Sequence, residues 1–72
     1  MTKQKPKLIY KYEESWEDFI KDLLVHRIED SIRVVTRKFL YGKITDSIIL
    51  RLSKEEAMKL AKAILEAFEE NG

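Results

Sequence analysis

Cysteine is absent from this 72-residue chain, which also holds one proline, two glycines and one histidine. The missing cysteines exclude a disulfide-stapled scaffold, and with a single His26 they exclude zinc fingers and zinc ribbons as well. Scarce glycine and proline exclude collagen-like and low-complexity chains. No apolar run approaches the roughly 18 residues of a membrane span, and the polar first residues lack the apolar core of a signal peptide. No Gly-rich phosphate loop, Cys nucleophile or His-x-x-x-His pair is present. Carboxylates are plentiful but fall on positions expected to be solvated, so the reading is non-catalytic, with no cofactor and no metal site.

What remains is one small, charged domain. Hydrophobic residues make up 44% and charged residues 38% of the chain, with a net charge of only +1. That balance fits a soluble cytoplasmic protein. The heavy Glu, Lys and Arg load resembles the composition of thermostable proteins, in which ion-pair networks gain weight with heat. A domain this short buries only about 60% of its unfolded surface, so a homodimer is one route to stability.

Met1 to Lys7 reads as a flexible basic tail, and residues 8–72 as a single globular domain. Leu8 to Tyr12 alternates as a short strand. Ser15 then resembles a helix cap, and Trp16, Phe19, Ile20, Leu23 and Leu24 follow at helical spacing, predicting a helix to about Asp30 or Ser31. Ile32 to Leu40 is rich in β-branched residues, Ile44 to Leu52 alternates, and Tyr41-Gly42-Lys43 between them signals a hairpin. The preferred register opposes Leu40 to Ile44, Lys38 to Asp46, Val34 to Leu50 and Ile32 to Leu52. Ser53-Lys54-Glu55-Glu56 is a capping box, and Ala57, Leu60, Ala61, Ile64, Leu65 and Phe68 trace one face of a closing helix.

The expected fold is therefore α+β, a two-layer β-α-β-β-α domain. Its three-stranded, mostly antiparallel sheet carries two helices on one face. A rival extends the first helix, because Ile28, Ile32, Val35 and Phe39 also fit helical spacing.

Charge alternates by segment: +4 over residues 1–12, −5 over 13–31, +5 over 32–54 and −3 over 55–72. In the expected fold, acidic helices cover one face of the sheet and the other face is basic. That outer face carries Arg33, Val35, Arg37, Phe39, Ile49 and Arg51 as the candidate binding residues. They suit a small interaction module that docks a protein partner, or its own copy, through the face or edge of the sheet. The alternative is single-stranded nucleic acid, with bases on Phe39 and phosphates on the arginines and the lysine tail. Asp22 and Asp30 flank His26 at four-residue spacing, a weak metal pattern if the segment is helical. Arg27 falls in the predicted apolar stripe, where its stem would pack while its head reaches water.

Overall fold

Three two-residue turns divide the first three-quarters of the chain into four strands of nearly equal length. In the computed structural model, which describes residues 5–70, β1 spans Lys7–Trp16, β2 Phe19–Ile28, β3 Ser31–Leu40 and β4 Lys43–Ser53. Helix α1 follows over Lys54–Glu70. The strands form one antiparallel meander in the order β1-β2-β3-β4.

The expected three-stranded sheet with two helices is thus corrected to a four-stranded sheet with one helix. Phe19–Ile28, read as the body of a helix, is a strand hydrogen-bonded on both sides. A central strand with apolar residues on both faces does not alternate cleanly, so it also satisfies helical spacing. Here the non-local pairing overrides the local pattern. The rival helix through Val35 and Phe39 is absent too, since β3 covers those positions. Of the expected basic tail, residues 1–4 lie outside the described part, and Lys7 already belongs to β1.

The turns are Glu17-Asp18, Glu29-Asp30 and Tyr41-Gly42, spaced evenly along the chain. Glu17, Glu29 and Tyr41 adopt φ of 54°, 54° and 53°, and Gly42 adopts 78°. A positive φ at the first turn residue lets a two-residue loop match the right-handed twist of its strands. Glutamate and tyrosine take that conformation at a steric cost that glycine avoids.

The C-terminal hairpin keeps most of the expected register but reaches it differently. Lys38 faces Asp46, Val34 faces Leu50 and Ile32 faces Leu52. Near the turn, however, Leu40 pairs with Lys43 and Phe39 with Ile44, rather than Leu40 with Ile44. A shift between Lys38 and Phe39 leaves Thr45 as the extra residue, and its hydroxyl donates to the Lys38 carbonyl at 3.3 Å. This bulge converts the tight-turn register into the longer-turn one.

At the other end of β4, Ser53 caps α1 by accepting the Glu56 backbone N–H at 3.2 Å. Strand passes to helix with no loop residue between Ser53 and Lys54. Connections that fold a helix back over its own sheet ordinarily take two to six residues. Accordingly α1 meets only β3 and β4. Along its apolar stripe, Ala57 is half-buried, while Leu60, Ile64, Leu65 and Phe68 are 49%, 49%, 63% and 78% exposed. The helix moves away from its own sheet.

No apolar residue among those described is buried. The chain measures 48 × 37 × 15 Å, with a radius of gyration of 15.1 Å. A compact domain of this length would have a radius of about 11 Å. It exposes 6471 Å², whereas a compact monomer of its mass exposes roughly 4,700 Å². The single layer has two open faces.

Candidate functional site

Strand pairing and side-chain alternation divide the sheet into two surfaces of different character. One holds Ile20, Asp22, Leu24 and His26 from β2, with Arg33, Val35, Arg37 and Phe39 from β3 and Ile49 and Arg51 from β4. All six sequence-predicted binding residues fall on this face. Val35 faces Ile49 and Arg33 faces Arg51 across β3 and β4.

The centre of that face is an ion pair. Asp22, 8% exposed and the one buried polar residue among those described, lies directly opposite Arg37 on the neighbouring strand. The guanidinium donates from Nε to Oδ1 at 3.0 Å and from a terminal nitrogen to Oδ2, a two-pronged contact. This hydrogen bonding holds the Asp22 carboxyl below its usual range, against the opposing effect of its burial. The Arg37 head also sits 5.2 Å from the centre of the Phe39 ring. Arg37 therefore engages Asp22 and Phe39 instead of standing open to a ligand. The expected separation of acidic helices from basic strands is corrected here, because Asp22 is on β2 and neutralises a β3 arginine within the same face.

Beside the ion pair runs a second row, His26–Arg33–Arg51, across three adjacent strands. His26 Nδ1 and Arg33 Nε are shielded and have no hydrogen-bond partner among the described residues. Asp22, His26 and Asp30 do not form a metal cluster. Four residues along a strand span about 13 Å, so the spacing that unites side chains on a helix separates them here. Arg27 is exposed and donates from Nε to the Glu29 carbonyl at 2.8 Å, tying down the β2–β3 turn.

The opposite face is the apolar one. Two adjacent rows cross all four strands: Tyr10–Val25–Val34–Leu50 and Tyr12–Leu23–Thr36–Ile48. A third ends in Ile32–Leu52, next to the base of α1. At the far end Trp16 stacks on Phe19 with ring centroids 4.8 Å apart, and Lys21 Nζ lies 5.6 Å from the Trp16 ring. Trp16, read as part of a helix's apolar stripe, is 50% exposed. Between the aromatic end and the apolar rows lies a charged row, Glu14–Lys21–Lys38–Asp46, in which Lys21 and Glu14 approach to 3.6 Å. Glu14 also accepts a hydrogen bond from Tyr12, raising the phenol pKa.

Large apolar side chains are exposed on both faces. Tyr10, Tyr12, Ile48 and Leu50, from the two apolar rows alone, are 47–60% exposed. On the ion-pair face the large apolar side chains at least as exposed are Leu8, Ile44 and Ile49. The sequence reading expected helices to cover this side and named binding residues only on the other. With the first helix replaced by β2, that side is uncovered.

Among the described residues, no group of three or more His, Asp or Glu side chains is placed to hold a metal, and no helix is long and apolar enough to cross a membrane. Compared with protein-family models, curated proteins and solved structures, the chain matches none.

Proposed function

We propose that this chain is a non-catalytic, self-associating module whose working form is a homodimer, built by covering the Tyr10–Leu50 and Tyr12–Ile48 rows with a second copy. The observation that carries the reading is the chain's surface excess. Its 6471 Å² exceeds that of a compact monomer by roughly 1,800 Å². Obligate homodimers bury about 1,000–2,500 Å² per subunit, so one second copy is the right size of partner. The apolar rows also suit it, since obligate interfaces resemble a domain core cut in half. A cytoplasmic setting is part of the proposal and rests on the cysteine-free, highly charged composition.

Sedimentation equilibrium at low and high salt tests this. The expected result is twice the chain mass at both salt concentrations, with Leu50→Lys shifting the protein to monomer. A sharp monomer at both would refute the proposal.

A second reading is favoured by the unpaired His26–Arg33–Arg51 row. Like charges directly opposite one another on a sheet destabilise it, and a bound polyanion relieves that repulsion. Single-stranded nucleic acid is the polyanion in this reading, with the dimer leaving the ion-pair face open to it. Oligonucleotide binding that weakens steeply with salt and is lost in Arg33→Gln supports it; no binding at low salt rejects it.

A further inference from the structure

The element that covers the apolar sheet face has to come from somewhere, and the chain offers two candidates: the same face of a second sheet, or a helix. We infer that α1 of each copy lies across the Val34 face of the other, so that the dimer forms by reciprocal helix exchange. This rests on the homodimer reading and specifies its contact.

Three observations converge on the exchange. The first is connectivity: β4 passes into α1 between Ser53 and Lys54 with no loop residue, so the helix projects past the sheet edge. The second is the unpartnered stripe. Ala57, Leu60, Ala61, Ile64, Leu65 and Phe68 repeat at helical spacing, yet exposure rises along it to 78% at Phe68. An amphipathic helix gains most of its stability by burying such a stripe, and here its own sheet does not bury it.

The third is fit of size. Seventeen residues make a helix about 25 Å long and 10 Å wide. The outer strands of a four-stranded sheet lie about 14 Å apart. One helix therefore covers the middle of the face, where Leu23, Val25, Val34 and Thr36 lie.

The absence of cysteine allows a direct test in the full-length chain. Thr36→Cys marks the centre of the sheet face and Ala61→Cys the middle of the stripe. The two variants, one carrying a mass tag, are unfolded together, refolded and treated with a short bis-maleimide. Exchange predicts that the dominant product is the heterodimer linked from position 36 of one chain to position 61 of the other. In the double variant, it predicts links between chains and not within one. Dimers joined mainly through two sheet-face thiols or through two helix thiols, or a double variant linked within its own chain, overturn the exchange while leaving self-association intact. A monomer by sedimentation overturns both. Leu65→Glu provides a second readout: its side chain is 63% exposed in the single chain, so the exchange predicts dimer affinity falling by on the order of a hundredfold or more. Unchanged affinity contradicts it.

Discussion

The three positive-φ turn residues and the Asp22–Arg37 pair make the most specific claims about single residues. Glu29 holds φ of 54°, and its carbonyl, not its side chain, anchors Arg27. Asparagine enters this conformation more readily, so Glu29→Asn should raise stability by roughly 0.5–1 kcal/mol, read as a higher denaturation midpoint. Gly42→Ala should do the reverse by about 1 kcal/mol. Nothing lies within 4 Å of the added methyl group, so that loss is purely conformational. The Asp22 carboxyl is held below its ordinary value of 3.8 by Arg37. A lowered folded-state value adds stability that is complete above the unfolded value and disappears as pH falls through the folded one. Thermal midpoints should therefore drop on acidification below about pH 4, and Asp22→Asn should flatten that drop while lowering stability at neutral pH. An equal acid slope in both proteins would contradict this role for the pair.

Among the elements, the C-terminal half and the strand at Leu8 to Tyr12 were legible and the segment after it was not, for identifiable reasons. Gly42 marked one hairpin, β-branched residues marked β3, and Ser53 with Glu56 marked the start of α1. Residues 19–28 offered none of these markers. Phe19, Leu23 and Val25 face one side and Ile20, Leu24 and His26 the other, so apolar residues occur on both sides and mimic a helical stripe. Glu17-Asp18 and Glu29-Asp30 carry no glycine or asparagine to announce a turn. The signal that was available is their recurrence: Glu-Asp appears twice at the spacing that leads on to Tyr41-Gly42. Regular turn spacing of this kind is a mark of an all-β meander. At this scale α1 is the vulnerable element, because a helix draws most of its stability from packing its apolar face and this one leaves that face exposed. Its helical circular-dichroism signal should fall on dilution together with the dimer. Helicity independent of concentration would show that α1 needs no partner.

For the whole molecule, the alternation of charge along the sequence was visible but its spatial meaning was not. The acidic segment 13–31 supplies β2 and two turns instead of a shielding helix, and Asp22 spends its charge on Arg37. The six residues Arg33, Val35, Arg37, Phe39, Ile49 and Arg51 do share one face, because the hairpin register was correct over its middle. The more apolar surface lies behind them, however, and became available only when the helix expected to cover it was absent. A single-layer sheet with an outlying helix has two open apolar surfaces and no interior, and in the proposed homodimer a second copy supplies the missing layer.

Thiol reactivity on the two sides of β3 tests that claim most directly. In the single chain Thr36 is exposed and Val35 half-buried, so without association a thiol at position 36 would react faster than one at 35. The homodimer predicts the opposite order: Thr36→Cys labels slowly, speeding up on dilution, and Val35→Cys labels faster at working concentration. Rapid labelling of Thr36→Cys at every concentration, ahead of Val35→Cys, would contradict the account.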